Sequence, residues 1–318
     1  MRQFIKLTIL FLIVLFTLVF VLVESFEFIV NKNAKFKLNT NAKYLVLGHS
    51  HPECAFNDSL IDNFLNLSQS GESYYYTYFK AKKIIEQNSS VNVIFIEFTN
   101  NQINKSMNNW IWKEKYMNHR YPKYSPFMNL SDKVILAKNN LSGYLNSTSL
   151  SFRHNFERIR NQNFDYSKSI GGYLYLVRDK TDSLVNNIKK GYSQSGNFKV
   201  SENNLEYLSK IIDLCEEHEK KVILIRSPQH PKYSGYFNEK NYQEIRNNLF
   251  SSIEYLDFSK FPLDNSEFGD LEHLNHKGAK VFSNWFAQLL NMGILEKSDK
   301  QEFLNEQIKA RTHNKELR

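Results

Sequence analysis

The sequence predicts an α/β fold, a flavodoxin-like three-layer sandwich around a central parallel sheet, placed behind one N-terminal transmembrane helix. Three observations predict it. Phe4 to Val23 is almost unbroken Leu, Ile, Val and Phe. Short β-like runs then alternate with segments of helical spacing, the rhythm of a sheet covered on both faces. Those runs are continuously apolar rather than alternating, as strands buried on both sides require.

The N-terminal stretch is interrupted only by Lys6, Thr8 and Thr17. Twenty helical residues cover about 30 Å, the thickness of a bilayer core. A cleavable signal peptide has a shorter apolar region followed by small residues, whereas Val23 is followed here by Glu24-Ser25-Phe26-Glu27-Phe28. The reading is therefore an anchor, with a cleaved signal as the alternative. Arg2 and Lys6 precede the span and acidic residues follow it. The positive-inside rule then places the N-terminus in the cytoplasm and the main domain outside, in the periplasm or at the cell surface.

After the anchor (residues 1–30), Asn31 to Lys43 reads as a polar linker. The strands expected are Tyr44–Leu47, Phe64–Leu67, Val93–Phe98, Val222–Ile225 and Ile253–Phe258. Helical spacing marks Tyr74–Gln87, Asn203–Glu219, Tyr242–Phe250 and His276–Leu290. Parallel strands need crossovers, and these are right-handed almost without exception. Gln102 to Val200 breaks the rhythm and is rich in Asn, Tyr, Trp and Arg. It reads as a partly helical insertion at the C-terminal edge of the sheet, where α/β proteins bind ligands. The α/β domain thus spans 31–295, with the insertion at about 102–200, and 296–318 is a charged tail or loose helix.

The chain has 318 residues, 42% of them hydrophobic and 14% aromatic, which is enough for a sizeable core and excludes wholesale disorder. Its net charge of +8 is spread out and decides little, a basic surface facing anionic membrane or polysaccharide being as natural as one facing nucleic acid. With no basic block or nucleic-acid motif, no nucleic-acid partner is expected. Cys54 and Cys215 are read as core residues, although an oxidising compartment would permit them to pair.

Three stations at strand ends carry candidate chemistry. At the first, Gly48-His49-Ser50-His51 follows the first strand and puts a serine on a glycine-permitted turn, where a nucleophile would stand. The second is Phe98-Thr99-Asn100-Asn101, where a side-chain amide is available to an oxyanion. The third, "FGDLEHLNHKGAKVFSNWF", places Asp270 three residues before His273 and just ahead of a helix starting near Asn275. That spacing lets the carboxylate hold one ring nitrogen and leaves the other for a serine. Each station also has a plain structural reading, as a turn or a helix cap. His51 is a further candidate for contact with substrate, the alternative being a turn histidine that faces solvent. Arg226 and His230, just past the fourth strand, are candidates at the same edge: Arg226 for an anionic group on the substrate or for pairing with Asp or Glu. No set of residues has metal-ligand spacing, and no metal or cofactor is expected.

Together these residues resemble the SGNH/GDSL hydrolase superfamily, particularly its membrane-anchored extracytoplasmic members associated with bacterial envelope acyl transfer and deacylation. The resemblance runs from Lys43 to about Met292, apart from the insertion. Gly48-His49-Ser50 stands where that superfamily carries Gly-Asp-Ser, which makes Ser50 the nucleophile. Ser70-Gly71 matches its glycine block and Asn100 its asparagine, so the implied oxyanion hole is Ser50, Gly71 and Asn100. Asp270 and His273 match its Asp-x-x-His block and complete a triad. Two departures stand out: His49 replaces the usual Asp, and Phe98-Thr99-Asn100-Asn101, which falls on the superfamily's Gly-x-Asn-Asp block, lacks its Gly and its terminal Asp. The resemblance implies a serine esterase or O-acyltransferase acting on acyl, in particular acetyl, esters of an envelope glycan. If an acyltransferase, it implies a separate membrane acyl-donor protein. The departures hold open a second reading, a catalytically inactive SGNH-fold scaffold or glycan-binding protein.

Overall fold

The computed structural model describes residues 1–38, 41–188 and 198–316. Its helices are α1 (Arg2–Asn33), α2 (Ser50–Ala55), α3 (Tyr74–Gln87), α4 (Asn109–Trp112), α5 (Glu114–Tyr124), α6 (Leu130–Asn139), α7 (Leu141–Arg160), α8 (Thr181–Asn187), α9 (Glu202–Glu217), α10 (Glu239–Leu249), α11 (His276–Asn291) and α12 (Lys300–Glu316). The strands β1 (Tyr44–Leu47), β2 (Phe64–Asn66), β3 (Val93–Glu97), β4 (Lys221–Arg226) and β5 (Glu254–Asp257) form one all-parallel sheet in the order β2-β1-β3-β4-β5. That is the flavodoxin-like order, and the direction of winding reverses between β1 and β3.

Successive residues of a strand face opposite sides of the sheet. Val46, Phe95, Ile223, Ile225 and Leu256 contribute to an aromatic-rich core with α11 and α12. Phe56 and Phe282, 5.0 Å apart between ring centroids, and Phe95 and Phe286, at 5.7 Å, form its middle. The alternate residues Leu45, Leu47, Ile94, Ile96 and Leu224 are equally buried, which explains the unbroken apolar runs. Tyr75 of α3 packs on Tyr207 of α9 at 4.7 Å.

The chain divides into two compact units. One is Met1–Phe36 with Ile111–Ser167; the other is Lys37–Trp110 with Lys168–Arg318 and contains the sheet. Most of the expected insertion therefore groups with α1. That helix is long and apolar enough to cross a membrane, and none of its most apolar window is buried. It also runs past the expected boundary at residue 30, because Glu27 and Val30 are buried and Lys133 of α6 pairs with Glu24 at 2.6 Å and Glu27 at 2.5 Å.

The expected polar linker needs the same correction at Phe36, which is fully buried and stacks on Tyr166 at 4.6 Å. Nor is the C-terminal stretch loose. Leu304 and Ile308 of α12 enter the core, and the Gln301 side chain accepts a hydrogen bond from the Asp257 N–H at 2.8 Å.

Candidate active site

The site lies at the C-terminal ends of β1 and β3, where the winding reverses and α/β sheets open a crevice. Gly48 directly follows β1, and this position must be glycine: an added Cβ would lie 2.6 Å from Glu97 Cβ and 2.7 Å from Pro52 Cγ. The close approach lets the chain turn at once into α2, whose first residue is Ser50.

His273 arrives from the other end of the sequence on a loop fixed at several points. Phe268 and Leu274 form an antiparallel bridge, and the Gly269 N–H donates to the His273 carbonyl at 2.8 Å. Asn275 closes the loop. Its Oδ1 caps α11 by accepting from Lys277 and Gly278, while its Nδ2 donates to the Ser266 and Phe268 carbonyls. This framework sets His273 Nε2 2.8 Å from Ser50 Oγ, and His273 Nδ1 2.9 and 3.1 Å from the Asp270 oxygens.

Asp270 Oδ1 also accepts the backbone N–H groups of Glu272 and His273. Arg178, which no sequence signal marked, pairs with Asp270 Oδ2. Burial works to raise the Asp270 pKa, but the bond and charge of His273, the Glu272 N–H and Arg178 outweigh it and hold the carboxyl well below the ordinary range. Arg178 sits on a strap from Lys168 to Thr181 that runs beside the site. Leu174 N–H donates to Glu53 of α2, His276 N–H to Leu176, and Lys180 N–H to Gly269.

The two flanking histidines are both buried, and oppositely charged environments surround them. His49 Nδ1 accepts the His51 N–H, while Nε2 faces Thr99 Oγ1 at 3.3 Å. Burial first, then the charges of His51 and His273, push its pKa well down, so it is neutral. Of the two readings of His51, a contact for substrate or a solvent-facing turn residue, the second does not hold: it is 2% exposed. Its Nδ1 lies 2.8 Å from the Gln229 amide and 3.7 Å from Glu97, and its Nε2 lies 3.9 Å from Glu272. Burial lowers the His51 pKa, but Glu272 and Glu97 outweigh it and raise it.

A raised histidine contributes stability that is full below its unfolded value, near 6.5, and is lost as pH rises through the folded value. His49, being depressed, contributes in the opposite direction: its share is present above about 6.5 and falls away as pH drops. Thermal melts of the parent protein should therefore lose stability as pH rises above neutrality, and His51→Gln should flatten that limb. An unchanged limb in His51→Gln would assign it to other groups.

Three further expected site residues have other partners. Asn100, 1% exposed, spends its amide on Glu239, which accepts from Nδ2 at 2.8 Å, and on Arg226, which donates to its Oδ1. Arg226 is 2% exposed and paired with Glu239 at 2.7 Å and Asp257 at 3.5 Å. Of the two roles weighed for it, the structure has the pairing with acids. His230 is buried too, bonded through Nε2 to Asn265 at 3.0 Å, and its N–H donates to the Leu271 carbonyl. It holds the loop that carries Asp270. Gly71, with φ +68°, lies in a loop tied to the nucleophile's surroundings by Gln69 N–H donating to Gly48 and by Ser70 bonding Glu53 of α2.

Folding also gathers His49, His51 and Glu97, whose ligand atoms lie within 4.8 Å of one another, a grouping that local spacing in the sequence does not reveal. Most of these donors are engaged: Ser227 donates to both Glu97 oxygens through its N–H, Thr99 and the His51 N–H occupy the His49 nitrogens, and Gln229 faces His51 Nδ1, while His51 Nε2 makes no hydrogen bond among the described residues. The geometry fits a protein hydrogen-bond network more closely than a cage for an ion. Cys54 and Cys215 are both buried free thiols.

The fold and site thus define an α/β protein with a serine, a histidine and a carboxylate in line at the sheet's switch point. A sequence profile of an uncharacterised protein family matches residues 161–294, less than half of the chain. No curated protein matches in sequence. Among solved structures, the chain is similar to a provisionally assigned acylhydrolase from Bacteroides fragilis, with 12% identity and a TM-score of 0.36 over 82% of this chain and 93% of that one. It is also similar to a provisionally assigned platelet activating factor from Streptococcus pneumoniae, with 13% identity and a TM-score of 0.40 over 88% of this chain and 98% of that one.

Proposed function

We propose that this protein is a membrane-anchored serine esterase or O-acyltransferase of the SGNH/GDSL type, acting on acyl, in particular acetyl, esters of an envelope glycan. The observation that supports it is the unbroken line from Ser50 Oγ through His273 to Asp270, with His273 Nε2 2.8 Å from the hydroxyl. Ser50 attacks the ester carbonyl as His273 Nε2 takes its proton, and Asp270 orients and stabilises the imidazolium. His273 then returns the proton to the departing alcohol oxygen. The Ser50 and Gly71 N–H groups receive the oxyanion. Asn100 joins them only by turning its amide away from Glu239. Water attacking the acyl-enzyme completes hydrolysis. A sugar hydroxyl completes transfer, in which case a separate membrane protein supplies the acyl group.

The continuity of α1 from its apolar stretch into the packed residues Glu27 and Val30 supports a retained anchor over a cleaved signal. Arg2 and Lys6 then argue for a cytoplasmic N-terminus and an extracytoplasmic sheet unit. The test is a fluorophosphonate probe on the purified full chain. Wild type should be labelled, and Ser50→Ala should not. An unlabelled wild type, with an intact fold by circular dichroism, would favour the binding-only scaffold.

A further inference from the structure

The unit that contains α1 presents an apolar corner that the sheet-unit chemistry does not use. Leu141 and Leu145, one turn apart on α7, are 60% and 59% exposed. Leu130 and Val134 repeat the i, i+4 pattern on α6, and Asn140 alone joins the two helices. Four exposed aliphatic side chains on two consecutive helices need a reason.

The register of α7 against α1 supplies one. Phe26 of α1 stacks on Phe152 at 5.0 Å and lies 6.1 Å from Phe156. Further along, Lys35 pairs in parallel with Asp165, and Phe36 stacks on Tyr166. The two segments therefore run in the same sense, so the N-terminal end of α7 points back toward the apolar half of α1. From Phe152 to Leu141 is about 16 Å of helix. From Phe26 back to Val23, the last residue of the apolar stretch, is only about 4.5 Å. Even a crossing angle of about 50° leaves roughly 10 Å of that reach along α1. Lys133 of α6, bonded to Glu24 and Glu27, fixes the depth at which this hairpin passes the end of the span.

We propose that the α6–α7 corner is a membrane-contact surface, with Leu141 and Leu145 seated at the headgroup–acyl boundary of the phospholipid bilayer that α1 crosses. This rests on the reading of α1 as a retained membrane span. The contact is interfacial: a short amphipathic hairpin buries its leucines a few ångströms deep while Lys138, Asn139 and Asn146 stay among the headgroups. It turns a single flexible tether into two points of attachment.

Full-length protein in phospholipid nanodiscs, with nitroxide groups on a fraction of the acyl chains, tests it. An environment-sensitive NBD label goes on Leu141→Cys or Leu145→Cys, with Val14→Cys in the span and Glu206→Cys on α9 as references. Cys54 and Cys215 are buried, and burial pushes both thiols up to about 12, so they label poorly. Labels at Leu141 and Leu145 should be blue-shifted and quenched roughly twofold or more beyond the Glu206 reference, as Val14 is. Quenching at Val14 with Leu141 and Leu145 behaving like Glu206 would overturn the contact and leave the anchor standing. No quenching at Val14 would remove the anchor and the contact together.

Discussion

Ser50→Ala is expected to abolish hydrolysis of a small acetyl ester, by a factor on the order of 10⁴ to 10⁶, while leaving the fold intact. The hydroxyl stands at the start of α2, bonded to His273, so its removal should move stability by no more than about 0.5 kcal/mol. His273→Ala should cost about as much activity, and the double variant no more than either, because a nucleophile and its base act as a unit. Asp270→Asn probes the same line differently. It keeps the shape but presents an amide that favours the wrong tautomer of His273, for a loss of about 10⁴-fold. Initial rates with a chromogenic acetyl ester, beside urea unfolding of each variant, read both quantities. Equal rates in wild type and Ser50→Ala would end the catalytic reading, whatever the geometry.

What the sequence made legible follows from how local each signal is. β1 runs from Tyr44 to Leu47 as expected, and α3 from Tyr74 to Gln87, because apolar runs and helical periods are written within a few residues. The Asn275 cap and the three-residue step from Asp270 to His273 are local in the same way. Position at the end of a buried strand made Ser50 a candidate; only the Asp270–His273 string and the family resemblance singled it out.

The surroundings of that serine were not legible, since they are made by partners far apart in sequence. His51 was placed at a solvent-facing turn because its neighbours look like a turn; Glu97 and Gln229, which come in from two other strand ends, bury it. Asn100 reads as a free amide until Arg226 and Glu239, more than a hundred residues later, claim both its ends. Arg178 has no periodic context, and only the fold brings it to Asp270. The grouping of Ile111–Ser167 with α1 is another case, because a membrane span and a distant helix share no sequence pattern.

Lys80→Ala should be the most destabilising of these predicted substitutions, by about 3–5 kcal/mol, the cost of leaving a buried charge without its partner. Lys80 lies on α3 between Tyr76 and Ile84, each one turn away, and so on the apolar stripe rather than the wet face. Its side chain has no exposure, nor has that of its partner Glu72. The ammonium group donates to the Leu67 carbonyl at 2.6 Å and the Ile170 carbonyl at 3.1 Å, besides the Glu72 carboxylate. One cation thus ties three segments: the end of β2, the loop that carries Gly71, and the strap that leads to Arg178. Two consequences separate this role from ordinary packing. Lys80→Ala should reduce ester turnover along with stability, since Gly71 loses its support. Adding Glu72→Gln to Lys80→Met should recover much of the lost stability, because the second change removes the stranded carboxylate. Urea midpoints for the single and double variants, with acetyl-ester rates measured under folded conditions, give the comparison. Additive losses in the double variant, or a Lys80→Ala midpoint no lower than that of the exposed Lys240→Ala, would show that the buried pair does not hold the loop.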